Sequence, residues 1–402
     1  MQDRPAPLAG IRVVDIATFV AAPYAASILG EFGAEVIKVE QPGEGDPLRR
    51  FGSPSARAGD TYCWLSEGRN KRSITLDLRK ERGKALFREL VAGADVVCEN
   101  FRPGTLEKWG IGYEALKAVN PRLIMLRISG YGQTGPYRDR PGFARIAHAF
   151  SGLAHLTGMP GGPPLTPGST SLADYVSGAY GAIGVLLALR SRDQTGLGQS
   201  IDLALYEPIF RMLDDLAPAF AALGTTRGRL GTGTTNACPH GHFQAADGGW
   251  VAIACTNDKM FARLAAIMGR PGLAADDVYG RAAVRIANSA AVDKLTADFV
   301  ASMPTDALIE ACVAGEVPCA RVNTIADIFA DPQFQARESL VTRPDDTLGD
   351  VVVPGPLPRL SETPGRIDSL GPLLGVGNAE VYGTLLGLSE AEIATLKADG
   401  VI

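Results

Sequence analysis

The chain has 402 residues, 46% of them hydrophobic and 21% charged, with a net charge of −5 at neutral pH. That is apolar content for a large core and length for two or three domains, while the acidic balance and the lack of Lys/Arg runs interleaved with aromatics offer nucleic acid no field. No apolar run reaches the roughly 20 residues of a membrane span, and Met1-Gln2-Asp3-Arg4-Pro5 has no leader pattern, so the expected location is the cytoplasm.

From residue 9 short apolar runs alternate with amphipathic segments. Residues 11–16 read as a strand, 23–32 as a helix, 34–39 as a strand, 82–92 as a helix, and 95–98 and 123–128 as strands. A long apolar helix begins near Ser171 and leads to a strand at 199–203. This alternation predicts an α/β fold with a large, doubly wound parallel sheet and ligands at the carboxyl ends of its strands. Residues 1–205 would be the first part of that domain. An apolar helical stretch, 205–223, then runs into the Gly/Thr-rich segment 224–236, and 206–235 is expected to act as a linker. Residues 236–325 read as a smaller α+β domain, with a strand at 250–254 after the turn Ala246-Asp247-Gly248-Gly249 and helices at 257–268 and 291–302. Residues 326–402 would return to the large domain and close with a helix opened by Ser389-Glu390-Ala391-Glu392, which has capping-box spacing.

The six cysteines are scattered, several in apolar surroundings, and read as buried thiols. No Cys pair has metal-ligand spacing. The four histidines are dispersed apart from His240-Gly241-His242, so no metal site is expected.

Asp174 stands where a Gly/Pro/Ser-rich loop meets the long apolar helix. An Asp there serves either as a helix cap or as a nucleophile. The loop 157–164 lets backbone approach a ligand, and the apolar stretch 179–189 implies a dry wall behind the carboxylate. An ordinary Asp, with a pKa of about 3.9, is ionised at neutral pH and attacks without a neighbouring base. The familiar alternatives lack their signatures. There is no Gly-x-Ser-x-Gly elbow and no P-loop, and residues 231–236 lack the third glycine and the preceding strand of a dinucleotide site.

Seven blocks follow in order: PLAGIRVVD at 7–15, FGAEVIKVE at 32–40, GEGDP at 43–47, NKRSITLDL at 70–78, ENFRPG at 99–104, GYGQTGPY at 130–137 and TGLGQ at 195–199. Together they resemble the family III coenzyme A transferases, the group of formyl-CoA transferase and the carnitine CoA-transferase, with the α-methylacyl-CoA racemases as a divergent branch. The resemblance implies a coenzyme A thioester as substrate and no tightly bound cofactor. It places Asp174 at the family's catalytic aspartate. It implies Lys38, Lys71, Arg72 and Arg102 as cations for the phosphates, Asn100-Phe101 against the pantetheine arm, Arg140 near a phosphate, and Val20 in the substrate loop 19–24. The implied chemistry is covalent: attack on the donor thioester, a mixed anhydride, an aspartyl-CoA thioester, then reversal onto an incoming acid. It further implies a homodimer whose two chains interlock, with linkers around 205–235 and 325–340.

The chain departs from the racemase branch at Phe143, where those enzymes carry a histidine. Without that second base, transfer is favoured over removal and return of an α-proton. His148 lies five residues on and reads as a packed or capping histidine. Ala144 stands where many transferases carry an acidic residue, and Arg145 beside it, if turned inward, could pair with an extra acidic group on the acceptor. The loop 19–24 is too apolar for oxalate. The reading is therefore CoA transfer from a donor such as succinyl-CoA to a small carboxylic or dicarboxylic acid. Its alternatives are an acyl-CoA racemase of the same fold and a non-catalytic acyl-CoA-binding protein in which Asp174 only caps a helix.

Overall fold

The computed structural model describes residues 4–402. Residues 1–3, the start of the stretch read for a leader, lie outside the described residues. The chain forms two compact units.

The larger unit comprises the chain up to Leu153, Thr166–Pro218 and Gln333–Ile402. Its centre is a six-stranded parallel sheet of β1 (Arg12–Asp15), β2 (Glu35–Glu40), β3 (Lys71–Thr75), β4 (Val96–Glu99), β5 (Ile124–Ser129) and β6 (Ser200–Ala204), ordered β3-β2-β1-β4-β5-β6. Successive side chains of a strand point to opposite faces. Val13, Val96, Ile124, Leu126 and Ile128 therefore meet α1 (Ala21–Glu31) and α4 (Leu172–Thr195) on one side. Val14, Val97 and Met125 meet α2 (Glu81–Ala92) and α8 (Glu390–Ala398) on the other. Helix α8 opens with the expected capping box. The Ser389 hydroxyl accepts from the Glu392 N–H at 3.3 Å, and the Ser389 N–H donates to the Glu392 carboxylate at 2.8 Å.

Strand β3 was not legible as a strand, because Lys-Arg-Ser-Ile-Thr does not alternate apolar and polar. Its polar side chains are satisfied inside the protein: Lys71 on Asp15 at 2.9 Å, Arg72 on Glu35 at 2.7 Å and Ser73 on Glu40 at 2.5 Å. Helices α1 and α4 approach closely at Gly178, where a Cβ would sit 2.5 Å from the Ala21 carbonyl oxygen. Helix α4 is long and apolar enough to cross a membrane, more so than the run lengths suggested. In the fold its buried residues Ala173, Ala182, Val185 and Ala188 belong to the core beneath the sheet.

The smaller unit comprises Ala154–Leu165 and Ala219–Pro332. Its sheet of β7 (His240–Gln244), β8 (Trp250–Ala254) and β9 (Cys319–Arg321) is antiparallel. It packs with α5 (Asp258–Ile267), α6 (Ser289–Val300) and α7 (Thr305–Ala314) through Phe243, Ile253, Phe261, Leu264, Val300 and Leu308. The Gly/Pro-rich loop 157–164 belongs to this unit and is tied to its Gly/Thr-rich segment. The Gly231 N–H donates to the Gly158 carbonyl at 3.0 Å, and Arg229 donates to the His155 carbonyl at 3.0 Å. One backbone N–H and one arginine side chain thus satisfy the carbonyls of Gly158 and His155.

Candidate active site

Strands β1 and β4 are neighbours whose chains leave toward opposite sides of the sheet, which opens a crevice at their carboxyl ends. A cavity of about 210 Å³ lies there. Its wall is built by Thr18 to Ala21 after β1, Asn100 to Pro103 after β4, Ser129-Gly130 at the end of β5, Arg140 to Phe143, Leu205 after β6, and Asp174.

The loop after β1 is held at three consecutive N–H groups. Ala17 donates to Asp15 at 3.1 Å, Thr18 to Asn100 at 2.9 Å and Phe19 to Asp46 at 3.0 Å. The Asn100 amide also donates to the Thr18 carbonyl at 2.7 Å, clamping the loop from both sides. Phe19 takes φ +60°, a left-handed conformation that a bulky residue adopts only when its surroundings impose it.

That anchoring explains where two expected CoA contacts went. Lys38 is buried under the loop, bonded to the Ala17 carbonyl and paired with Asp46 at 2.8 Å and Asp15 at 3.5 Å. Burial opposes its charge, but Asp15 and Asp46 outweigh it and hold the amine protonated. Lys71 is likewise buried, on Asp15 and on the Pro23 carbonyl at 2.7 Å. Neither ammonium is open to a phosphate. The expectation for Lys38 and Lys71 is corrected: a cation with buried acidic partners costs less inside than an unpartnered one. Arg72 is half-buried, pairs with Glu35 and Glu380, and lines a separate surface depression. Val20, Asn100, Phe101, Arg102 and Arg140 are brought together in the cavity wall. Arg102 and Arg140 are exposed, and the Arg140 guanidinium lies 3.6 Å over the Tyr137 ring.

Asp174 is the third residue of α4. Its own N–H donates to the Ser171 carbonyl, and among the described residues no group donates to its carboxylate. It is therefore no cap. Burial pushes its pKa up to about 7, which corrects the picture of an ordinary, fully ionised Asp: desolvation makes it a more basic, more nucleophilic carboxylate.

His148, on α3 (Ala144–Phe150), faces α4 and accepts from the Ala173 N–H at 3.0 Å. Phe143 stands in the cavity wall where a second base would be needed, 66% exposed, edge-on to Phe19, which is itself edge-on to Phe51. Arg145 is exposed and donates to the Thr166 hydroxyl at 3.3 Å, outside the cavity wall.

A second depression of about 290 Å³ shares Thr18 and Phe101 with the first. It carries Arg50, Arg79 and Trp109. Arg79 is oriented by two bonds to Asp77, at 2.8 and 2.9 Å, and Trp109 lies edge-on to Phe101 at 5.4 Å. These two arginines were missed, because Arg50 in Pro47-Leu48-Arg49-Arg50 and Arg79 in Asp77-Leu78-Arg79-Lys80 read in sequence like ordinary solvated basic residues. Among the described residues no group of three or more His, Cys, Asp or Glu could hold a metal ion.

The sequence profile of CoA-transferase family III matches residues 8–378. The chain is 57% identical over 398 residues to the succinyl-CoA–L-malate CoA-transferase beta subunit of Chloroflexus aurantiacus, covering 98% of each chain. It is 42% identical over 401 residues to the succinyl-CoA–D-citramalate CoA-transferase of the same organism, covering 100% of this chain and 99% of that one. The crystal structure of a CAIB/BAIF family protein from Brucella suis superposes with a TM-score of 0.84 at 37% identity, covering 95% of this chain and 100% of the other.

Proposed function

Because this chain belongs to CoA-transferase family III, we propose that it moves coenzyme A from succinyl-CoA to a short dicarboxylic acid, a hydroxylated one foremost, with Asp174 as covalent nucleophile. The observation that carries the reading is a carboxylate with no hydrogen-bond donor among the described residues, its pKa raised to about 7, at the wall of a cavity at the sheet's switch point. The acceptor class rests on relatives named for malate and citramalate.

An Asp174 oxygen attacks the thioester carbonyl carbon of the donor, and the C–S bond breaks to release the CoA thiolate. The thiolate attacks the Asp174 carbonyl carbon of the mixed anhydride, expelling succinate and leaving an aspartyl-CoA thioester. The acceptor carboxylate attacks that thioester, releasing the thiolate again. The thiolate then takes the acceptor's acyl carbon and frees Asp174. Each tetrahedral oxyanion needs N–H donors, and the first turn of α1, which has no side-chain cap and places Val20 and Ala21 in the wall, is suited to supply them. Phe19 and Phe143, in the cavity wall, are placed to shield the anhydride from water.

The pantetheine arm would pass Phe101, with Asn100 holding the loop beside it. Arg102 and Arg140 would meet anionic groups at the mouth, and Arg50 and Arg79 the nucleotide end of CoA in the adjoining depression. Racemisation lacks a base facing Asp174, since Phe143 occupies that wall. We read the enzyme as cytoplasmic, without a tightly bound cofactor, and as an interlocked dimer of this chain or of this chain with a related subunit.

Incubation with succinyl-CoA and a panel of acids, followed by mass spectrometry, tests the reading. New thioesters of hydroxylated diacids are expected, and hydroxylamine added after the donor should mark Asp174 alone. Near-wild-type transfer by Asp174→Asn would sink the covalent mechanism. Binding of succinyl-CoA with no turnover toward any acid would favour the binding-protein alternative.

A further inference from the structure

A helix that carries its nucleophile in the first turn meets a conflict. The leading N–H groups of a helix need acceptors, and an Asp or Ser at the start is the usual source. If Asp174 supplied the acceptor, its carboxylate would be engaged and unable to attack. The N-cap residue of α4, Ser171, makes no side-chain capping bond. Asp174 caps nothing either. The acceptor comes from a different helix: the His148 ring nitrogen Nε2 takes the Ala173 N–H at 3.0 Å, one residue before the nucleophile.

We propose that His148 is a positioning residue for Asp174, its neutral imidazole capping the catalytic helix from α3 so that the nucleophile's carboxylate stays free. This inference rests on the transfer reading above. An imidazole nitrogen that accepts carries no proton, so the ring's hydrogen is on Nδ1. Nδ1 is buried and has no partner among the described residues. The ring is 2% exposed and Ala173 is fully buried, so no water replaces the bond when it is lost. Burial and then the nearby Arg145 both disfavour a charged ring. The same geometry gives His148 no role as a second base, because the nitrogen that would accept a proton is occupied by the helix.

Two variants separate this role from mere packing. His148→Gln keeps an acceptor oxygen, and His148→Leu keeps bulk without one. For His148→Leu we expect kcat to fall about 10- to 100-fold, as for a misplacement of roughly 1 Å, with the KM for succinyl-CoA within about threefold. His148→Gln should retain kcat within about threefold. Hydrogen exchange of the peptide spanning 171–176 should quicken in His148→Leu and not in His148→Gln, a readout independent of substrate.

If His148→Leu folds and keeps wild-type kcat and exchange, or if His148→Gln falls as far as His148→Leu, the proposal is overturned. Should His148→Leu fail to fold, His148→Asn, whose acceptor stops short of Ala173, replaces it with the same expectations. A wild type that never turns over succinyl-CoA would defeat the transfer reading while the exchange measurement still decides the cap.

Discussion

At the scale of single residues the chemistry turns on the cost of burying one carboxylate. Asp174 has a folded pKa of about 7 against about 3.9 for a free Asp, so the folded protein holds its proton more tightly than the unfolded chain. Stability therefore declines as pH rises from about 4 to about 7, and the penalty is complete above that. Asp174→Asn should raise Tm by about 2–5 °C at pH 8 and leave it unchanged near pH 4, measured by calorimetry. The same variant should lose at least about a thousandfold in transfer. Activity runs the other way with pH. Attack needs the ionised form, so kcat/KM for succinyl-CoA should rise tenfold per pH unit below about 7 and level off above it. A limb near pH 4 would mean that the carboxylate is better solvated than this cavity makes it. At Phe143, removal of the ring by Phe143→Ala should admit water and increase the share of succinyl-CoA hydrolysed rather than transferred.

At the scale of elements, function depends on two junctions. One is the loop between β1 and α1, whose backbone is fixed by Asp15, Asp46 and Asn100, with Lys38 holding the two aspartates together beneath it. Lys38→Met leaves the buried Asp46 without its cation, while Asp15 keeps Lys71, and should cost about 3–5 kcal/mol, visible as a large drop in denaturation midpoint. If Lys38 instead met a phosphate, the variant would keep its stability and show a raised, salt-sensitive KM. The other is the crossing of α1 and α4 at Gly178. A methyl there would collide with the Ala21 carbonyl. Gly178→Ala should destabilise by about 1–3 kcal/mol and lower kcat, because the shift that relieves the clash moves Asp174 with its helix.

At the scale of the whole molecule, a group of apolar side chains on one helix is left exposed. Ile183, Leu186 and Leu187 of α4 stand out toward solvent, the latter 66% exposed. Ile183 and Leu186, with Pro7, Phe32, Leu357 and Leu360, line a cleft of about 370 Å³ that is almost entirely apolar. Such a patch suits a protein–protein contact, as the proposed dimer requires. Light scattering is expected to give twice the chain mass, and the assembly should persist in high salt, since apolar contacts are not screened. A monomer at micromolar concentration would contradict the interlocked arrangement.

By itself the sequence determined the doubly wound sheet, because apolar runs of strand length alternated with helical ones. It also determined the capping box at Ser389 and the position of Asp174 at the start of an apolar helix. These are local patterns, read within a few residues of one another. It could not show that Lys71-Arg72-Ser73-Ile74-Thr75 is a buried strand, because its charges are compensated by Asp15 and Glu35 far along the chain. Nor could it show that Lys38 serves the loop rather than a phosphate, that Arg50 and Arg79 gather beside Phe101, or that Asp174 is desolvated to a pKa near 7. Partner identity and burial depend on contacts across tens to hundreds of residues. Only the tertiary structure decides which side chains are enclosed, and enclosure sets both the charge and the reactivity of the groups that do the chemistry.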